Sequence, residues 1–169
     1  TGAKVVVITM GPPQADLALR EALAMGADEA YLVSDRALGG ADTWATSSTL
    51  VAAICKVGAY DVIITGRQAI DGDTAQVGPQ IAEHLGIPNV SYAEGIELDG
   101  DSLVIKRQYE DRHHMIKVKM PCLITALAEL NDARYMTPGG IVDAYKKEVK
   151  LLTRGDLEVN DCNIGLKGS

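Results

Sequence analysis

The chain has 169 residues, 47% hydrophobic and 23% charged, with a mean hydropathy of +0.05, as expected for one soluble domain with a sizeable core. A net charge of −7 and a pI of about 4.9 repel phosphate backbones and argue against general nucleic-acid binding. A single bound nucleotide is not excluded, because backbone N–H groups hold phosphates without net positive charge.

Lys4 to Thr9 is an apolar, β-branched run, the look of a buried parallel strand. Gly11, Pro12 and Pro13 end it and lead into a helix with Ala15, Leu19, Ala22 and Leu23 at helical spacing, stopped at Gly26. Glu29 to Val33 reads as the next strand, and Thr43 to Val57 as a helix with Leu50, Ile54 and Val57 on one face. Asp61 to Thr65 is a third strand. A loop from Gly66 follows, then a helix capped by Asp73 that ends near Leu85 before Gly86. Asn89 to Ala93 is a fourth strand. This alternation predicts an α/β fold with a parallel sheet and covering helices.

The pattern then changes. Ile96 to Leu98, the Asp99-Gly100 turn and Leu103 to Ile105 read as a hairpin, and Met115 to Met120 as a half-exposed strand. Cys122 to Thr125 returns to the main sheet after Pro121. The stretch from Gly95 to Met120 is thus an antiparallel excursion. A short helix near Gly140 to Lys147 and a strand near Val149 to Leu152 complete the reading. The chain opens almost directly on a strand and ends without a closing element, so the expectation is a single α/β domain over residues 1–169 that lacks both ends of a longer protein.

Cys55, Cys122 and Cys162 are odd in number and dispersed, with no CxxC pair to suggest a zinc ribbon or iron–sulfur site. Lone thiols fit a reducing compartment, which makes a cytoplasmic protein the expectation. No apolar run reaches membrane-spanning length, so no membrane insertion is expected. His113 and His114 are adjacent and would point to opposite faces of a strand, and His84 suits a helix C-terminus. No metal-ligand spacing is present, and no residue is assigned a catalytic role.

In an open parallel sheet, ligands bind beyond the C-terminal ends of the strands. Two loops there have unusual composition: the one at Met10, and the one comprising Gly66, Arg67, Gln68, Ala69, Ile70, Asp71, Gly72, Asp73, Thr74, Ala75, Gln76 and Val77. Thr74, Ala75 and Gln76 would present N–H groups at a helix N-terminus, and Asp73 with Gln76 has capping-box spacing. Pro79 lies early in that helix and is in a position to shift its start. On composition alone, an ordinary capped helix and a phosphate cradle fit equally well. The Rossmann GxGxxG is absent. Asp71 and Asp73 suit a phosphate site only if they cap or bond a ribose or base.

The long loop resembles the nucleotide-binding loop of electron transfer flavoprotein beta subunits. Met10 to Gln14 with Arg20 to Asp28 is similar to that family's early loop and helix. Ile105 to Thr125 is similar to its signature through Arg107, Glu110, Asp111, Pro121 and Thr125, although Arg112 and His114 depart from it. The resemblance implies a Rossmann-like three-layer sheet of the adenine-nucleotide-hydrolase type and a heterodimer with an alpha subunit. It places nucleotide contacts on Met10 and on Gly66 to Val77. The form Asp71-Gly72-Asp73-Thr74-Ala75-Gln76-Val77 looks like the FAD-binding, electron-bifurcating type, with AMP in a structural role as the alternative. Implied partners are an acyl-CoA dehydrogenase or similar flavin dehydrogenase, with NADH and ferredoxin or flavodoxin where bifurcation occurs. A more distant reading rests on Gly39, Gly40, Ala41, Asp42 and Thr43, which are similar to the SGGxDS loop of ATP pyrophosphatases with Leu38 in place of the first Ser; a plain turn with an Asp cap competes with it.

Overall fold

A computed structural model describes residues 2–169. In chain order the regular elements are β1 (Val6–Met10), α1 (Asp16–Ala24), β2 (Glu29–Val33), α2 (Thr43–Val57), β3 (Val62–Gly66), α3 (Val77–Leu85), β4 (Asn89–Asp99), β5 (Ser102–Tyr109), β6 (Arg112–Lys119), β7 (Cys122–Ala126), α4 (Pro138–Lys146) and β8 (Val149–Leu152). They fall into two compact units, Thr1–Val57 with Ala133–Ser169 and Gly58–Asp132. The expected α/β alternation and antiparallel excursion are both present. The strands are hydrogen-bonded as two sheets, of three and five strands, rather than as one.

The first unit carries the sheet β1-β2-β8, all parallel. β1 ends at Met10, and the Gly11 N–H still reaches Val33 O at 3.0 Å before Pro12 removes the next donor. Pro13 opens a short 3-10 turn that leads into α1. Leu19 and Leu23 of α1 pack with Ala27, Ala30, Leu32 and Ala144. α4 begins two residues before the expected Gly140, because Thr137 caps it through the Gly140 N–H at 3.0 Å and Pro138 fits the first position. Its last carbonyls are satisfied by Arg20, whose Nη1 donates to Ala144 O at 2.8 Å and Lys147 O at 2.5 Å.

α2 occupies the expected residues and buries Ile54 as expected, but its buried side is broader than the expected stripe. Ala45, Ser47, Thr49, Ala53 and Ile54 are inside, while Leu50 and Val57 are only half-buried. The hydroxyls can be buried because they bond their own helix: Thr49 Oγ1 donates to Ala45 O at 2.8 Å and Ser47 Oγ to Trp44 O at 2.9 Å.

The second unit carries the sheet β3-β7-β4-β5-β6. β3, β7 and β4 run parallel; β4, β5 and β6 form the antiparallel meander. The two segments expected at 89–93 and 96–98 are one strand, β4, bent by a register shift between Ala93 and Gly95. β5 and β6 are longer than the hairpin expected at 103–105 and the strand expected at 115–120. Leu103, Ile105, Val118, Cys122 and Ile124 form the core of this unit.

Candidate functional site

β3 stays paired with β7 to its last residue, Gly66 against Ala126, and the Arg67 N–H adds one more bond to Ala126 O at 3.1 Å. The chain then leaves the sheet as an exposed loop. Within it the Asp73 N–H reaches Ala69 O at 3.1 Å, the Gly72 N–H reaches Asp71 Oδ1 at 2.8 Å, and Gln68 Nε2 donates to Asp73 Oδ1. Arg67 Nε donates to Gln68 Oε1 at 3.0 Å. Both acidic side chains therefore accept hydrogen bonds from the loop itself.

The expected capping box does not form. Asp73 has φ +51 and Ala75 φ +54, both left-handed, and α3 starts only at Val77, with Gln76 as an N-cap that makes no side-chain cap bond. Pro79 is the physical reason. In a helix begun at Asp73, its ring would clash with the preceding turn and its missing N–H would leave a carbonyl unpaired. A start at Val77 puts Pro79 in the first turn, where no N–H is needed. Thr74, Ala75 and Gln76 thus precede the helix rather than open it. The left-handed Ala75 is followed by Gln76 in right-handed conformation, an alternation that turns successive N–H groups toward one side and suits an anion. The N–H groups of Val77 and Gly78 join them as first-turn donors with no intrahelical acceptor.

Gly78 seats this helix start on the sheet. A Cβ there would lie 2.5 Å from Thr65 Oγ1 and 3.0 Å from Thr125 Cγ2. Met10, the other expected contact, belongs to the first unit. It lines an open cleft of about 610 Å³ at the C-terminal ends of β1 and β2, with Gly11, Pro12, Val33, Ser34 and Asp35. The N–H groups of Ala37 and Arg154 hold the Asp35 carboxyl below its usual range.

The sequence profile of the electron transfer flavoprotein domain matches residues 1–157. The chain belongs to the electron transfer flavoprotein domain family. It is 60% identical over 168 residues to an electron transfer flavoprotein subunit beta of Clostridium acetobutylicum, covering 99% of this chain and 64% of that protein. It is likewise 60% identical to the subunit beta of Thermoanaerobacterium thermosaccharolyticum, covering 99% of this chain and 65% of that protein. A subunit of the caffeyl-CoA reductase–Etf complex of Acetobacterium woodii is 55% identical, over 99% of this chain and 64% of its own length. The chain thus spans just under two-thirds of each of these relatives.

Elsewhere in this family member, Gly39 to Thr43 is a turn with a helix cap. The Ala45 N–H bonds Asp42 Oδ1 at 2.9 Å, and the Asp42 N–H bonds Ser169 Oγ at 2.8 Å. The Leu166 N–H bonds Gly39 O at 3.1 Å, and its side chain lies against Gly40. The segment around Leu166 therefore packs directly on this turn. His113 and His114 diverge as expected: His113 Nδ1 lies 2.8 Å from Glu94 Oε1, and His114 stacks on Tyr109. Among the described residues no His, Cys, Asp and Glu cluster could hold a metal, and no helix is long and apolar enough to cross a membrane.

Tyr92 is the residue that sequence reasoning missed. It sits where the pairing of β4 with β7 shifts register between Val90 and Ala93, with φ +62 and its N–H on Thr125 Oγ1 at 3.0 Å. The Arg67 and Arg107 guanidinium carbons stand 5.5 and 5.8 Å from its ring centre. Nothing in local periodicity signals this arrangement, because it joins residues from three separate stretches of chain.

Proposed function

We propose that this chain is the nucleotide-binding core of the beta subunit of a heterodimeric electron transfer flavoprotein. FAD is held on Gly66 to Val77, by backbone N–H groups and by the Thr74 and Gln76 side chains. Together with an alpha subunit, the protein passes electrons between NADH or flavin dehydrogenases and other carriers, by flavin-based bifurcation. The observation that carries the reading is the left-handed Asp73 and Ala75 immediately before α3, a backbone conformation that suits a phosphate at a helix start. The bonds made by Asp71 and Asp73 within the loop keep their charge engaged.

The bound flavin would supply hydride acceptance and one-electron transfer. This chain binds the cofactor; no side chain here is needed as an acid or base. The FAD form is favoured over AMP by the Asp71 to Val77 motif and by the likeness to a subunit of a caffeyl-CoA reductase–Etf complex. An AMP-bound, structural role would use the same donors, since AMP is the adenosine-phosphate half of FAD.

The test is a Thr74→Ala, Gln76→Ala double variant of the full-length subunit, co-purified with its alpha partner. Loss of the beta-subunit nucleotide with an unchanged far-UV spectrum is expected. Full retention of the nucleotide would contradict the loop assignment.

A further inference from the structure

Strand alternation sorts the meander of the second unit into two faces. Leu103 and Ile105 of β5, with Ile116 and Val118 of β6, turn into the core. Arg107, Tyr109 and His114 continue that face, with the Tyr109 and His114 ring centres 5.3 Å apart. The other face carries ordinary ion pairs: Lys106 and His113 with Glu94, and Lys117 with Asp99.

The inner face has no such pairs. Arg67 and Arg107 both stand against Tyr92, and Arg107 also lies 5.7 Å from the Tyr109 ring centre. Among the described residues neither arginine takes part in an ion pair, although carboxylates outnumber Lys and Arg by 23 to 16. The Nε of Arg107 is buried with no acceptor. A buried charged donor without a partner is unfavourable, and two cations against one ring repel each other. An oxyanion accepted by both guanidinium groups would relieve both. Tyr92 is fixed in a left-handed conformation that bulky residues rarely adopt, a strain found where a ring must be held for a purpose.

We propose that Arg67, Tyr92 and Arg107 form an oxyanion subsite for a phosphate of the nucleotide bound by Gly66 to Val77; the source of that phosphate rests on the reading above. Arg67 belongs to the same loop, and Tyr92 is bonded to Thr125, beside which Gly78 seats the start of α3. Planar guanidinium groups match phosphate oxygens in bidentate fashion.

The experiment is calorimetric titration of the cofactor-stripped, full-length heterodimer with AMP, adenosine and inorganic pyrophosphate. Wild type is compared with Arg67→Gln, Arg107→Gln and Arg107→Lys. Each Gln variant is expected to weaken AMP by about tenfold or more, leave adenosine unchanged and abolish pyrophosphate binding; Arg107→Lys should fall between. Equal losses for AMP and adenosine would overturn the proposal, as would unchanged AMP affinity with weakened alpha-subunit association, which would mark a protein-docking pair. If wild type binds no nucleotide, the functional reading fails, and pyrophosphate decides the subsite. Binding lost in Arg107→Gln supports it; no binding, or binding kept in that variant, overturns it. Should Arg107→Gln not fold, the exposed Arg67→Gln and the charge-preserving Arg107→Lys separate the same outcomes.

Discussion

Gly78 meets Thr65 so closely that a Cβ would stand 2.5 Å from the Thr65 hydroxyl oxygen. Gly78→Ala should therefore cost about 1–3 kcal/mol by overpacking. It should also weaken nucleotide binding, because the N–H donors at Val77 and Gly78 move with the helix start. Thr65→Ala removes the clashing oxygen, so the two changes should be non-additive in a urea double-mutant cycle. Strict additivity would show that α3 is not seated through this contact.

Ala75 tests the loop conformation directly. Its φ of +54 suits glycine and opposes β-branched residues. Ala75→Gly should keep the nucleotide and relieve about 1 kcal/mol of left-handed strain. Ala75→Val should lose nucleotide and also lower thermal stability, since a β-branched side chain adds strain at this half-buried, left-handed position. Equal nucleotide content in both variants would contradict the anion-binding conformation.

Asp42 separates this account from an ATP-hydrolysing one. As the cap of α2, Asp42→Ala should cost about 0.5–2 kcal/mol and leave nucleotide content unchanged. An ATP turnover that vanishes in this variant would favour the pyrophosphatase-like reading instead.

Acid stability should carry the mark of Glu29. Lys150, first, then Lys4 and the Tyr31 hydroxyl bond its carboxylate and lower its pKa from 4.5 to about 2. A lowered carboxylate pKa stabilises the fold above the unfolded value and loses that contribution as pH falls through the folded one. The sensitive window is therefore between pH 4.5 and about 2. Its partner Lys150 is shifted up by the same bond, so that share is complete below pH 10.5 and is lost only above the raised value. Unfolding followed across the acid window should show a smaller pH slope in Glu29→Gln. Identical slopes would mean that solvent screens the pair completely.

Period and terminators make much of the fold readable. α2 and β2 fall on the expected residues because a helical stretch ending before Gly58 and a short apolar strand leave few alternatives. Competing local signals hide other features. Asp73 looks like a helix cap, yet Pro79 forbids a helix that begins there, and Asp73 and Ala75 take left-handed conformations instead. The break expected between Ala93 and Ile96 is a bend within one strand, since Gly95 can mark a bulge as readily as an end. The buried face of α2 is hidden because Ser47 and Thr49 count as polar until their hydroxyls are seen bonded to the helix backbone. The loop is legible through its likeness to a family. The Arg67, Tyr92 and Arg107 cluster is not, since only tertiary folding brings those side chains together.

The most direct measurement is the nucleotide content of the full-length subunit purified with its alpha partner, with cofactors released and counted per heterodimer. Two FAD are expected, and one FAD with one AMP would leave this chain a structural nucleotide binder. No nucleotide on this subunit would contradict the assignment of Gly66 to Val77.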